Sequence, residues 1–109
     1  MDNFENITDQ MLHDLAHQCE ERLLDGAEID LEDGILTINM DDGGTYLINR
    51  HLPTRQIWLS SPKSGAWHFA PVQYNDTQKS DWTSTRGDKI SIYDLLNREL
   101  SPLMPFHRP

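Results

Sequence analysis

The chain has 109 residues, of which 37% are hydrophobic and 25% charged, and this composition is typical of one small globular domain. We therefore expect residues 1–109 to form a single domain. The net charge of −9 makes nucleic acids and anionic membranes poor partners, and no apolar run approaches the ~20 residues of a membrane span. One cysteine, Cys19, excludes an internal disulfide and any zinc or iron–sulfur site built from several cysteines of one chain.

The charges are segregated along the sequence. Residues 1–33 hold eleven of the eighteen carboxylates and one base, Arg22, whereas residues 34–109 hold seven acids and eight bases. The N-terminal third therefore carries the negative charge of the molecule. Such a region attracts cations or a basic protein surface.

An amphipathic helix is predicted over residues 7–24. Asn6 or Thr8 is a suitable residue to cap its start, and Asp25-Gly26 is expected to end it. Its apolar side chains fall within one half of a helical wheel, and the polar and charged ones fall within the other half. The apolar half consists of Ile7, Met11, Leu12, Leu15, Ala16, Cys19 and Leu23.

Three side chains of this helix have possible metal chemistry. Cys19 lies on the apolar half, so we expect a buried small hydrophobe rather than a reactive thiol. His13 and His17 lie one helical turn apart on the polar half, a spacing that can chelate a metal. Two exposed histidines at this spacing are more often incidental, so a contribution of one imidazole ligand stays an open alternative.

Short strands at hairpin spacing follow the helix. Residues 28–32 and 35–40 alternate polar and apolar side chains, and Asp33-Gly34 between them is a hairpin turn signal. In the first of these strands Ile29 and Leu31 are predicted to face inward. The side chains that then face outward are Glu28, Asp30 and Glu32, and further short strands are predicted over residues 46–48, 56–59, 66–69 and 82–85.

Trp58 occupies an unusual place in the strand at residues 56–59. If Ile57 and Leu59 face the core, the two-residue period of a strand sends Gln56, Trp58 and Ser60 to the opposite face. A tryptophan among polar residues on the outside of a sheet is typical of a protein-binding hot spot, because it contributes a large contact area at a low entropic cost. The structural alternative is a surface tryptophan that packs on a neighbouring loop.

A second helix is predicted to begin at Ser91. Ser91 and Asp94 fit a capping box, and an apolar stripe follows until Pro102 breaks the helix. The apolar tail at residues 103–106 contains a further proline, so we expect it to cover the core without regular structure. The polar segment at residues 73–80 is predicted to be a loop.

The order of helix, hairpin-linked strands and helix predicts the fold class. Strands joined by hairpins are antiparallel, and two amphipathic helices can cover one face of the sheet. We therefore expect an α+β, two-layer sandwich with an antiparallel sheet of about five to six strands and the N- and C-terminal helices packed on one face.

The segment from Gly44 to Gly65, with the sequence GTYLINRHLPTRQIWLSSPKSG, closely resembles the central motif of the frataxin family. The likeness extends to the acidic first helix, the strand at residues 28–33, the strand that contains Trp82 and the closing helix, in the order that the family has. His51 stands where the family usually has Gln, and Thr54 stands where mitochondrial members often have Asn.

The resemblance implies an acidic surface that binds iron (Fe2+ or Fe3+) weakly. Carboxylates without a preformed cage leave most of the metal's water shell in place, so we expect an affinity on the order of micromolar. The alternative without metal binding is a solvated acidic face that keeps the protein soluble. The candidate metal ligands are Asp14, Glu20, Glu21, Asp25, Glu28, Asp30, Glu32 and Asp33.

The resemblance also implies partners, namely the cysteine desulfurase and the scaffold protein of iron–sulfur cluster assembly, which the protein would regulate or supply with iron. We expect a monomer that can oligomerise with excess iron, with no nucleic-acid or membrane partner. The candidate partner-binding residues lie in or near the central motif: Asn49, Arg50, His51, Arg55, Gln56, Trp58, Ser60 and His68.

Two other functions remain open from the sequence. The first is a ferroxidase or iron-storage protein, since ferroxidase activity is attributed to the family, and the second is an acidic interaction module unrelated to iron. The N-terminus has neither a basic signal-peptide region nor an Arg- and Ser-rich transit pattern. We expect a cytoplasmic protein if the source is bacterial, and the mitochondrial matrix if this is a processed organellar form.

Overall fold

In the part of the chain that the structure describes, a long helix precedes a run of strands and a short helix follows them. We describe it from a computed structural model, which covers residues 3–23, 26–73, 80–100 and 106. The elements in chain order are α1 (Phe4–Leu23), β1 (Ala27–Glu32), β2 (Ile35–Met40), β3 (Thr45–His51), β4 (Gln56–Ser61), β5 (Gly65–Gln73), β6 (Ser80–Ser84) and α2 (Ile92–Glu99).

The six strands form one sheet in which each strand pairs with the next one along the chain. The order is β1-β2-β3-β4-β5-β6, and all five pairings are antiparallel. At the first turn both Asp33 and Gly34 have positive φ angles, 52° and 77°, as a two-residue hairpin turn requires. The predicted α+β sandwich is confirmed.

The core lies between the helices and one face of the sheet. Alternate strand residues such as Leu36, Ile48 and Ile57 are fully buried on this face. Phe4 at the start of α1 meets Trp82 of β6 edge to face, with ring centroids 6.0 Å apart. Because most apolar residues of the strands face the helices, the opposite side of the sheet, which we call the outer face, carries mainly polar and partly exposed residues.

Helix α1 begins one turn earlier than predicted, and the predicted N-caps, Asn6 and Thr8, are wrong because both lie inside the helix. The first helical hydrogen bond runs from the Ile7 N–H to the Asn3 carbonyl, at 2.9 Å. Thr8 is buried inside the helix, where its hydroxyl donates to the Phe4 carbonyl at 2.8 Å. The extra turn forms because it places Phe4 in the core, and this burial outweighs the capping preference of the polar residues that follow.

The middle strands are longer than predicted. The predicted ends of β3 at residue 48 and of β5 at residue 69 are both wrong, since pairing continues to His51 in β3 and to Gln73 in β5. Pairing with one neighbouring strand, β4 for the end of β3 and β6 for the end of β5, stabilises these extensions, which local propensity alone does not predict.

Helix α2 begins as predicted. Its N-cap is Ser91, whose hydroxyl accepts a hydrogen bond from the Tyr93 N–H. Of the predicted apolar tail the structure describes only Phe106, which is buried in the core cluster, while Pro102 and most of the polar segment at 73–80 lie outside the described residues. Neither α1 nor α2 has the length and apolar character that a membrane-crossing helix needs.

Candidate metal and protein-docking surfaces

Trp58 lies at the centre of the outer face, as the strand period predicts. Its neighbours Ile57 and Leu59 are buried in the core, whereas Trp58 itself is half-buried and Ser60 is exposed. Trp58 pairs directly with Asn49 of β3 on one side and with His68 of β5 on the other. The side chain is therefore fixed by strand register and not by a loop.

Two imidazole rings sandwich the indole of Trp58. The ring centroids of His51 and Trp58 are 3.6 Å apart with planes 10° from parallel, and those of Trp58 and His68 are 4.2 Å apart with planes 8° from parallel. Aromatic pairs in general contribute about 0.5–1.5 kcal/mol each beyond the area that they bury. The stack joins the three central strands on the outer face.

Hydrogen bonds hold the stack in place. The indole Nε1 of Trp58 donates to Oε1 of Gln56 at 2.9 Å, and Nδ1 of His51 lies 2.8 Å from the Thr54 hydroxyl. Thr54 lies in the turn between β3 and β4, and Gln56 is the first residue of β4. The tight β3–β4 hairpin thus orients the rings that stand beside it.

A shallow apolar hollow adjoins the stack. It has a volume of about 140 Å³ and is lined by side chains that include Leu47, Trp58 and Ala66. Leu47 is 38% exposed and Ile35, on the same face, is 40% exposed. The outer face therefore combines exposed aliphatic side chains, a fixed aromatic stack and the polar side chains of Asn49 and Ser60, as protein interfaces do.

Two of the predicted partner-binding residues do not belong to this surface. Arg50 pairs with the buried residue Ile57 across the strands, so its side chain lies on the helix side, where the guanidinium forms an ion pair with Asp9 of α1. The guanidinium of Arg55 lies 6.0 Å from the centroid of the Phe4 ring. Both were placed with Trp58 only because they are close to it in sequence.

The predicted carboxylates occupy two neighbouring elements. Glu28, Asp30 and Glu32 are exposed along β1, the edge strand of the sheet, and their predicted outward orientation is confirmed. Helix α1 packs against β1 and exposes Glu20 and Glu21 near its C-terminal end. We call these five carboxylates the acidic ridge.

The other predicted ligands are less free or are not described. Asp14 accepts a 2.6 Å hydrogen bond from the Gln18 amide, and Asp33 is exposed in the β1–β2 turn. Asp25 lies outside the described residues. His17 is 3.8 Å from Glu21, and Nδ1 of His13 is 2.9 Å from the Asp9 carbonyl.

These side chains do not form a closed metal cage. Within residues 3–23, 26–73, 80–100 and 106, no three His, Cys, Asp or Glu side chains converge at metal-binding distances. Cys19 is fully buried, and burial raises the pKa of its thiol to about 12, so it stays protonated and a poor ligand. The ridge can hold a hydrated cation by charge, and its role as a metal site stays a prediction.

The ring stack around Trp58 is not apparent from the sequence alone. His51 and His68 were candidates through family resemblance, but their stacking was not expected. The signal was available in principle, since residues directly or diagonally opposite on neighbouring antiparallel strands share a face. It could be used only once the pairing register was known.

Comparison with known proteins identifies a family match over almost the whole chain. A frataxin-like domain profile matches residues 1–105. Mitochondrial frataxin from Dictyostelium discoideum is 40% identical over 91 residues, which are 84% of this chain and 42% of that protein. The iron–sulfur cluster assembly protein CyaY from Thioalkalivibrio sulfidiphilus is 36% identical over 100 residues, 91% of this chain and 88% of that protein.

Solved structures share this fold. A frataxin from Psychromonas ingrahamii superposes with a TM-score of 0.71 at 22% identity, covering 88% of this chain and 83% of that one. Trimeric frataxin from Saccharomyces cerevisiae, complexed with ferrous iron, gives a TM-score of 0.68 at 28% identity over 95% of this chain and 87% of that one. The chain spans less than half of the Dictyostelium protein but most of the bacterial one.

Proposed function

This chain belongs to the frataxin family, and we propose that it acts in iron–sulfur cluster assembly by binding iron on the acidic ridge and docking assembly proteins on the outer face of its sheet. The observation that carries the proposal is that one small domain combines two kinds of surface. One is a carboxylate-rich edge at β1 and the end of α1, and the other is the aromatic, partly apolar centre of the outer face. A relative named as an assembly protein and another solved with ferrous iron support the same assignment.

Iron would bind to the ridge as a hydrated ion. Glu28 and Asp30 are exposed on an edge strand, with Glu20 and Glu21 exposed on the helix packed beside it. Carboxylates and water are ligands that ferrous iron accepts. Exposed carboxylates attract a divalent cation through solvent of high dielectric constant, so the affinity should be modest and sensitive to salt.

The acidic ridge can also bind a basic protein surface, because its negative charges attract a positively charged protein as well as an iron ion. We propose that the cysteine desulfurase and its scaffold protein are the partners, with the scaffold or the desulfurase contacting the Trp58 surface. Iron on the ridge would then change how strongly a basic partner is held, and this coupling would let the protein regulate the assembly complex.

An anaerobic ferrous titration tests the iron assignment. The double variant E28Q/D30N should bind iron roughly tenfold more weakly than the wild type, because two charges beside the ion are lost. The control D41N/D88N removes two exposed carboxylates outside the ridge and should bind as the wild type does. Equal affinity of both double variants would contradict the ridge as the site, and oxygen uptake above buffer level would support the ferroxidase alternative.

A binding assay with the purified desulfurase–scaffold complex tests the docking assignment. Trp58→Ala should weaken binding by a factor of a hundred or so, the effect of losing one aromatic hot spot of about 2–3 kcal/mol. The control Ile7→Ala removes an apolar side chain that is 41% exposed on α1 and should leave binding unchanged. Wild-type affinity in the Trp58 variant would refute docking through the outer face.

A further inference from the structure

Both faces of the Trp58 indole are already covered within the protein. The imidazole of His51 lies 3.6 Å away on the β3 side, and that of His68 lies 4.2 Å away on the β5 side. Adjacent strands are about 4.8 Å apart, so three rings from three neighbouring strands can stack only if they stand upright on the sheet. An upright ring between two others presents its edge, and not its face, to solvent.

The polar atom of the indole is also used internally. Nε1 of Trp58 donates to Oε1 of Gln56, which lies two residues earlier on the same face of β4, at 2.9 Å. An acceptor on a partner would have to displace this bond to reach the N–H group. Displacement exchanges one hydrogen bond for another and contributes little net free energy.

We infer that Trp58 docks as an apolar wedge, so that the partner must supply a slot of aliphatic side chains for the indole edge. A partner cation stacked on the ring is excluded by the two imidazoles, and a hydrogen bond from the indole is satisfied by Gln56. The inference rests on the proposed function, because it specifies the chemistry of the partner that the outer face binds.

The hollow beside Trp58 extends this complementarity. Its volume of about 140 Å³ is close to that of an engineered apolar cavity of about 150 Å³ that accepts a benzene molecule. Leu47 and Ala66 contribute apolar walls. One apolar side chain of the partner can fill the hollow while the indole edge enters the slot next to it, so the two surfaces interlock.

His51 and His68 are positioning residues in this scheme. They restrict the indole to one orientation before the partner arrives, and a preformed anchor avoids part of the entropy cost of ordering a side chain at an interface. A flat ring is needed for this role, because an aliphatic side chain of similar size can fill the space without holding the indole upright.

Two double variants separate ring stacking from simple filling of space. H51L/H68L should bind the desulfurase–scaffold complex roughly three- to tenfold more weakly, the cost of ordering a freed side chain. H51F/H68F keeps two flat rings and should restore most of the affinity. In the free protein, the Trp58 indole N–H signal in a proton–nitrogen NMR spectrum, assigned by its loss in Trp58→Phe, should shift in the leucine variant and less in the phenylalanine variant.

Replacing Trp58 with benzothienylalanine tests the wedge directly, because this residue keeps the bicyclic shape but lacks the N–H donor. Affinity close to that of the wild type is expected, and a loss of tenfold or more would overturn the inference by showing that the partner accepts a hydrogen bond from the indole. Equal affinity of H51L/H68L and the wild type would overturn the positioning role alone. If Trp58→Ala binds the desulfurase–scaffold complex as the wild type does, both the proposed docking function and the inference are wrong.

Discussion

The Tyr46 hydroxyl on β3 donates a 2.8 Å hydrogen bond to Oε1 of Glu99 at the end of α2, which joins the sheet to the last helix. The hydroxyls of Ser61 and Ser64, before and within the β4–β5 turn, donate to the two oxygens of the same carboxylate, each at 2.6 Å. Nζ of Lys63 adds a 3.0 Å bond to the Glu99 carbonyl. One carboxylate thus anchors the C-terminal end of α2 to two hairpins.

Glu99→Gln should destabilise the protein at neutral pH by about 1–3 kcal/mol, since several hydroxyls lose a charged acceptor. Burial raises the pKa of Glu99, but the hydrogen bonds from Ser61, Ser64 and Tyr46 outweigh it, and the pKa is lowered from 4.5. A carboxyl group whose pKa is lower in the folded than in the unfolded state stabilises the folded protein at pH values above the unfolded-state pKa. This stabilisation is lost as the pH falls through the folded-state pKa.

Urea unfolding between pH 3 and 7, roughly the range in which carboxylates titrate, measures this effect. The difference in the free energy of unfolding between the wild type and Glu99→Gln should become smaller as the pH falls below 4.5, the ordinary pKa of this group. Glu28→Gln, on an exposed strand position, is the matched control and should change stability little at any pH. A gap that stays constant down to pH 3 would exclude Glu99 ionisation as its cause.

Tyr46→Phe should cost about 1 kcal/mol at neutral pH, the net contribution of one buried hydrogen bond. Burial and the hydrogen bond to Glu99 raise the pKa of the Tyr46 phenol above its ordinary value of 10.0. A raised folded-state pKa means that the stability is present below pH 10 and is lost as the pH rises further. The urea concentration at the midpoint of unfolding should therefore fall more steeply above pH 10 in the wild type than in Tyr46→Phe. The same dependence on pH in both proteins would contradict this prediction.

Arg50→Gln should leave partner docking unchanged, because the side chain pairs with Asp9 on the helix side of the sheet. The Asp9 side chain is 50% exposed, so solvent screens the ion pair and its loss should cost no more than about 1 kcal/mol. Asn49→Ala, on the outer face opposite Trp58, should weaken docking with little change in stability.

A double-mutant cycle with Asp9→Asn measures the ion pair alone. The two single variants should lose similar stability, and the double variant should lose little more than either, since both remove the same interaction. A weaker complex with Arg50→Gln at unchanged stability would place Arg50 in the interface after all.

Cys19 should resist alkylation in the folded protein. The side chain is fully buried, and burial raises the pKa of the thiol to about 12, so the reactive thiolate is absent near neutral pH. Iodoacetamide labelling followed by mass spectrometry should show modification only as fast as the protein unfolds. Complete labelling within minutes under native conditions would show that α1 opens far more readily than its packing indicates.

The fold was predictable because local signals agree with one another. Strict alternation in β1 and β2, the Asp33-Gly34 turn and the Ser91 cap each specify a structure within a few residues. The misses occur where tertiary contacts overrode these signals. Phe4 lengthens α1 because it reaches the core, and the polar residue His51 stays in β3 because a neighbouring strand pairs with it.

The docking surface was predictable only in part. Strand parity placed Trp58, Gln56 and Ser60 on one face without any knowledge of the partner strands. Applied to β3, the same rule places Arg50 and Asn49 on opposite faces. It shows which of the two faces the core only when an inward-facing residue of that strand is already known. The His51–Trp58–His68 stack depends on how three strands align, and no single segment contains that information.

The strand order has a consequence for how the molecule assembles. Every strand pairs with its neighbour along the chain, so the sheet can form from successive hairpins with short loops to close. Phe4 and Trp82 meet from opposite ends of the chain, and their contact requires the sheet between them to be in place. We therefore expect the central hairpins to form first and the contact between Phe4 and Trp82 to form last.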